Sequence, residues 1–264
     1  MPRCFTAAPA PRPGPSAASK ALGRGGRWEA VSANDFALVQ GIRHTRGALE
    51  RWNRDPVPIL RAWVGGALVV ASLMLVAVWV IAAVSQADFT DLWIAGISGE
   101  ADFGDVGHLL FRNSLVLSLH AFACVAGFIA GSSLALAADK RSGISRWVHE
   151  KARPIALGWV VLVTAFSLIT QSYALGLTGA TLSAQFEISP GVLVLTVLPH
   201  AVPELVALFL PLAAWTIASR RDEWQNLLAA TFATVAVAIP VLVVSATWEV
   251  YIWPRLLEAV SAVA

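Results

Sequence analysis

Charged residues are scarce in this sequence. Asp, Glu, Lys and Arg make up 14% of the 264 residues, whereas a soluble domain carries about 25%. Hydrophobic residues make up 57%, and they lie in runs of about 20 or more, each long enough to cross a hydrocarbon layer of about 30 Å as a helix. These runs exclude an ordinary soluble domain and predict an all-α, polytopic bundle of transmembrane helices.

Cysteines and catalytic motifs are also few. The two cysteines, Cys4 and Cys124, have no spacing suited to a disulfide framework or a metal site. The sequence contains no HExxH, no GxSxG, no Walker lysine and no glycine-rich nucleotide fingerprint. It also lacks the basic stripe of a nucleic-acid-binding surface. We therefore expect no cofactor, no metal and no nucleic-acid partner, with the lipid bilayer as the surrounding partner.

The apolar runs divide the chain into three parts. Residues 1–27, rich in Pro, Ala, Gly and Ser, are expected to form a disordered tail or an over-extended start. Residues 28–59 are expected to be a cytoplasmic segment with a short helix. The transmembrane domain then occupies 60–260, with about five spans, near 60–86, 111–137, 154–177, 190–218 and 226–250.

Charge between the spans predicts their orientation. Residues 1–61 carry ten Lys or Arg, and 88–111 carry five acids and no Lys or Arg. Residues 138–153 again hold five Lys or Arg, 178–189 hold none, and 219–225 hold two arginines. Because basic connections stay in the cytoplasm, this alternation predicts a cytoplasmic N-terminus and an outer C-terminus.

The fourth span holds the most unusual polar pair. In LPHAVPELVALFLP (198–211), His200 and Glu204 lie four residues apart, on one face of a helix, where they could form a hydrogen bond. A charged side chain at mid-span costs about 2.5–3.5 kcal/mol. Glu204 could also satisfy backbone groups that Pro199 and Pro203 release. We expect this pair to have a functional or an essential structural role.

Other spans contribute further polar or small residues. Each of them also has a simple structural explanation. Asn113 could cap the outer start of its helix, His120 could make one interhelical hydrogen bond, and Glu249 could reach the membrane interface. Gly127 and Gly131 form a GxxxG pair that permits close helix packing. A polar cluster of His200, Glu204, Glu249, His120 and Asn113 in the outer half of the bundle is the alternative interpretation.

Two motifs resemble those of a known family. LPHAVPELVALFLPLAA resembles the P-H-G-x-x-E-L signature of the stage II sporulation protein M family of bacterial membrane proteins, with Ala201 in place of the glycine. SATWEVYIWP is similar to that family's closing motif, here with Glu249 and Pro254. Asn113 and the later GFIAG also look like the family's pattern. The resemblance covers about 60–260 and implies a multi-pass protein that, in spore formers, acts in engulfment with peptidoglycan-remodelling partners.

Three functions remain open. The leading expectation is a non-enzymatic scaffold in the bacterial plasma membrane, able to form oligomers and assembling with membrane or envelope proteins. The second is a permease subunit resembling those of ABC exporters, because kinked helices and an intramembrane carboxylate suit a substrate or proton path. The third is an intramembrane metalloenzyme, in which His200, Glu204 and His120 would hold zinc, although a single HxxxE is a weak signal.

Overall fold

The structure is a computed structural model that describes residues 37–88, 92–133 and 144–261. A π-helical turn, Ile129–Ser133, continues the third helix, and a 3-10 turn, Trp224–Asn226, leads into the sixth. The described part of the chain contains no β-strand. Its α-helices are α1 Ala37–Arg54, α2 Val57–Val84, α3 Phe103–Phe128, α4 Ile144–Gln185, α5 Pro190–Arg221, α6 Leu227–Tyr251 and α7 Trp253–Val260.

Five helical segments are long and apolar enough to cross a membrane. The all-α fold and the five spans predicted from hydropathy are therefore confirmed, and the chain is a multi-pass membrane protein. The direction in which the spans cross stays a prediction. The five segments are Val57–Val84, Phe103–Gly131, Leu157–Gln185, Pro190–Arg221 and Trp224–Tyr251.

The second span begins earlier than hydropathy predicted. Its helix starts at Phe103 rather than near residue 111, because Asp102 and Asp105 form a capping box. The Asp102 carboxylate accepts a hydrogen bond from the Asp105 N–H, and the Asp105 carboxylate accepts one from the Asp102 N–H, both at 2.9 Å. These two bonds satisfy backbone donors that a helix start leaves free. The predicted end at 137 lies outside the described residues.

Helix α5 lies at the centre of the bundle, where it packs against α2, α3 and α6. Fourteen of its residues are buried, which is half as many again as the nine of α6. Ser189 caps its start by accepting a hydrogen bond from the Val192 N–H at 3.3 Å, and Pro190 takes the first helical position, where no donor is needed. The helix ends at Arg221 and is followed by Asp222, which is in the left-handed conformation with φ 57°.

The outer sides of the bundle carry large exposed apolar residues. Leu73 on α2 is 66% exposed, and Phe166 and Ile169 on α4 are 68% and 70% exposed. In water this exposure would be unfavourable, whereas in a bilayer these side chains meet hydrocarbon. The same helices turn small residues inward, such as Ala67 and Ala71 of α2.

Helix α1 lies within the segment 28–59 and precedes the first span. Its Trp52 packs edge-to-face on Trp63 of α2, with ring centroids 5.1 Å apart. Trp63 is 3% exposed, so this contact ties α1 to the end of the bundle. The tail expected at 1–27 lies outside the described residues.

Candidate intramembrane polar site

Asn113 of α3 and Glu204 of α5 form a hydrogen bond across the bundle. The Asn113 side-chain amide donates to Glu204 Oε1 at 2.9 Å, and both side chains are half-buried. This contact corrects two sequence-based interpretations. Asn113 lies ten residues inside α3 and does not cap it, and the described hydrogen bond of Glu204 goes to Asn113 rather than to His200 or to backbone released by a proline.

Two further side chains of α3 contact the backbone of α5. His120 Nδ1 lies 3.0 Å from the carbonyl oxygen of Leu208, and Cys124 Sγ donates to the carbonyl of Pro211 at 3.0 Å. Because a carbonyl can only accept, Nδ1 of His120 carries the proton. Its Nε2 is buried and has no hydrogen-bond partner among the described residues. His120 therefore makes the interhelical hydrogen bond that its simple structural explanation predicts.

These three contacts follow one another along the two helices. We call them the polar seam, which pairs Asn113, His120 and Cys124 of α3 with Glu204, Leu208 and Pro211 of α5. The residue numbers rise together on both sides, so α3 and α5 run in the same direction. Each interhelical hydrogen bond in a membrane contributes roughly 0.6 kcal/mol. The seam therefore fixes the register of two spans, although it adds only modestly to the free energy of unfolding.

Glu249 brings a second carboxyl group to one end of the seam. It lies near the end of α6, is half-buried, and is close enough to Glu204 for the two carboxylates to repel each other. Arg112, the residue before Asn113, is close enough to Glu249 to attract it. The structure thus brings Asn113, Glu204 and Glu249 into one region where α3, α5 and α6 meet.

His200 lies apart from this hydrogen-bonded region, although it is one helical turn from Glu204. It is 5% exposed, and its Nδ1 has no hydrogen-bond partner in the described part of the chain. Its ring packs edge-to-face on Trp253 of α7, with centroids 6.0 Å apart. The Trp253 indole N–H in turn donates to Thr196 Oγ1 at 3.1 Å, which fastens α7 to α5.

Gly127 and Gly131 lie against tryptophan rings rather than against another helix backbone. A Cβ on Gly127 would lie 2.5 Å from Nε1 of Trp215, and a Cβ on Gly131 would lie 2.3 Å from the ring of Trp224. Distances this short leave no space for a methyl group. The two glycines therefore permit the end of α3 to approach α5 and the start of α6.

The motif prolines occupy different environments. Pro199 and Pro203 lie inside α5, whereas Pro254 is buried at the start of α7, where no backbone donor is lost. Pro254 packs against Gly96, which has φ +82° in the loop before α3. A Cβ on Gly96 would lie 3.1 Å from Cγ of Pro254. This contact links the closing motif to the loop between the first two spans.

The zinc trio considered from the sequence is not assembled. Among residues 37–88, 92–133 and 144–261, no group of three or more His, Cys, Asp or Glu side chains could hold a metal ion. His120 instead lies on the seam, and His200 faces Trp253. The described geometry thus gives no support to a metal site built from His200, Glu204 and His120.

The family described as Stage II sporulation protein M matches residues 151–254. This segment belongs to the stage II sporulation protein M family. It includes the signature around His200 and Glu204 and ends at Pro254 of the closing motif, so the resemblance is confirmed there. Asn113 and GFIAG lie before the match. No curated protein and no solved structure matches the chain.

Four residues that take part in the contacts described above were not predicted as site residues from the sequence. Cys124 and Arg112 lie outside the stage II sporulation protein M segment, yet they contact or face residues inside it. Thr196 and Trp253 lie inside the segment and join its first and last motifs. The sequence shows only that these residues lie near the motifs or the predicted spans. It does not show which residue on another helix each of them contacts.

Proposed function

We propose that this chain is a non-enzymatic scaffold of the bacterial plasma membrane, which assembles with membrane or envelope proteins that remodel peptidoglycan. The observation that carries the proposal is the polar seam. Its side chains are engaged within the bundle, where they set the register of α3 and α5. A bundle of fixed register supports the role of a platform for partner proteins.

A pair of variants at Glu204 tests this role. Glu204→Gln keeps an oxygen that accepts from Asn113, whereas Glu204→Leu removes the acceptor and leaves the amide without it. For a scaffold we expect Glu204→Gln to retain both thermal stability and partner recovery, and Glu204→Leu to lower both. The measurement is affinity purification of tagged protein from native membranes, with a thermal melt of the same preparation.

The wild-type protein provides the decisive outcome. We expect it to recover one or more membrane or envelope proteins that are absent from an unrelated five-span bait. Recovery of nothing beyond that control, from membranes in which the protein is folded, would contradict the scaffold role.

A permease subunit is the second candidate, favoured by the proximity of Glu204 and Glu249. Two half-buried carboxyl groups in one region could exchange protons or bind a cationic substrate. Glu204→Gln distinguishes the candidates, because it removes the charge and keeps the acceptor. A permease would lose flux in liposomes while its melting temperature stayed unchanged, whereas a scaffold would keep its partners.

A further inference from the structure

A crevice of about 300 Å³ lies between α5 and α6, beside the polar seam. It lies where both helices carry prolines, Pro199 and Pro203 on α5 and Pro240 on α6. A proline inside a helix removes one backbone hydrogen bond and favours a bend. Close packing of the two helices is thus interrupted at this level, and the space left is of the size that binds small apolar groups.

The crevice opens sideways, toward the surroundings of the bundle. Val244 and Trp248 on its rim are 66% and 39% exposed, and Pro199 and Pro240 are exposed as well. These residues lie within the fourth and fifth membrane spans. The opening therefore faces membrane lipid rather than the interior of the protein.

The length of the crevice suits a lipid chain. From Pro240 to Trp248 the α6 helix rises by about 12 Å, at 1.5 Å for each residue. One leaflet of the hydrocarbon core is about 15 Å thick, half of the whole layer. A chain that lies parallel to α6 in this crevice thus spans most of one leaflet.

His200 gives the crevice one end with a free polar group. Apart from the indole N–H of Trp248 on the rim, the polar side chains that line the crevice are His200 and Ser245, which are buried at 5% and 3% exposure. Because His200 contacts Trp253, which follows the end of α6, it lies at the end of the crevice nearer the membrane surface. The ester groups of phospholipids lie at that boundary. Its Nδ1 is enclosed by the protein, and its Nε2 makes no hydrogen bond to the described residues, which is costly in apolar surroundings.

We infer that the crevice binds one acyl chain of a diacyl phospholipid, whose ester carbonyl accepts a hydrogen bond from Nε2 of His200. The apolar walls take the chain, and the ester supplies a partner to Nε2, the ring nitrogen that the protein does not enclose. This site is separate from the seam and does not depend on the scaffold role.

Photo-labelling tests the position of the chain. The protein is placed in nanodiscs with a phosphatidylglycerol that carries a diazirine in one acyl chain, and labelled residues are mapped. We expect labelling between Pro240 and Trp248, severalfold weaker in Val244→Trp, which fills the rim. Val243→Trp is the matched control, because Val243 is also exposed on α6 but does not line the crevice. Equal labelling in both variants would overturn the proposal. So would labelling of Phe166 and Ile169 on α4 that is as strong as labelling between Pro240 and Trp248.

A competition between ester and ether lipids tests the role of His200. Dialkyl phosphatidylglycerol has the same chains and headgroup but no ester carbonyl. We expect the wild-type protein to retain the diacyl form with about fivefold preference, the worth of one net hydrogen bond. His200→Phe keeps a ring against Trp253 and should show no preference. The same preference in both proteins, or none in the wild type, would overturn the hydrogen bond, and the Val244→Trp result decides the site should His200→Phe not fold.

Discussion

Gly127 of α3 provides the sharpest test of how closely the helices pack. A Cβ at this position would lie 2.5 Å from Nε1 and 2.8 Å from Cδ1 of Trp215, and 3.0 Å from Cδ1 of Leu227. A Cβ in ordinary van der Waals contact lies about 3.5 Å from its neighbouring atom. The indole ring of Trp215 must therefore move away by about 1 Å in Gly127→Ala. Trp215 and Leu227 are both buried and leave little room for that movement.

The expected cost of Gly127→Ala comes from overpacking, which in well-packed interiors amounts to about 1–3 kcal/mol. Alanine also favours the helix over glycine by about 1 kcal/mol, which hides part of that cost. Gly107→Ala, on the same helix, separates the two effects, because a Cβ there meets no atom within 4 Å. We therefore expect Gly107→Ala to be neutral or stabilising, and Gly127→Ala to be less stable than it by about 1–3 kcal/mol.

Reversible unfolding by SDS in mixed micelles measures this difference as the shift between the two unfolding curves. Both variants change one hydrogen to one methyl group in α3, so effects on the denatured state cancel to first order. Equal free energies of unfolding for the two variants would show that α3 does not pack against Trp215 as described.

Three further predictions use the same unfolding assay. Gly96→Ala should lower the free energy of unfolding by about 1–2 kcal/mol, because its φ of +82° disfavours a side chain and Pro254 lies in the way; an unchanged value would show that the loop relaxes freely. A double-mutant cycle of Asn113→Leu and Glu204→Leu should give a coupling of about 0.6–1.7 kcal/mol, and zero coupling would remove their hydrogen bond. Asp102→Ala should cost about 1 kcal/mol and Asp102→Asn much less, since asparagine still caps the helix; equal losses would contradict the capping box.

The spans were predictable because their information is local. A run of apolar residues long enough to cross the membrane can be recognised from the sequence without knowing which other helices it contacts. The start of α3 was the main error, since residues 103–110 include the polar Asp105 and His108, which lower the hydropathy of that stretch. The capping signal of Asp102 and Asp105 was present in the sequence and marks the true start.

The polar contacts were less predictable because their information is not local. The four-residue spacing of His200 and Glu204 predicts a hydrogen bond within one helix, yet each side chain contacts a different neighbouring helix. Asn113 and Glu204 are 91 residues apart, so their pairing depends on the register of α3 against α5. A single sequence lists the donors and acceptors but does not state which of them meet.

The polar seam is asymmetric between its two helices. In all three contacts the donor is on α3 and the acceptor is on α5. The prolines inside α5 do not explain this asymmetry, because a proline releases the carbonyl four residues before it, and neither of the two backbone carbonyls in the seam is released in that way. The carbonyls of Leu208 and Pro211 lie four residues before Leu212 and Trp215, whose N–H groups can bond to them within α5, so α3 uses their second lone pairs. The register of α3 against α5 therefore depends on donors that α3 supplies to acceptors already within a helical backbone or on the Glu204 side chain.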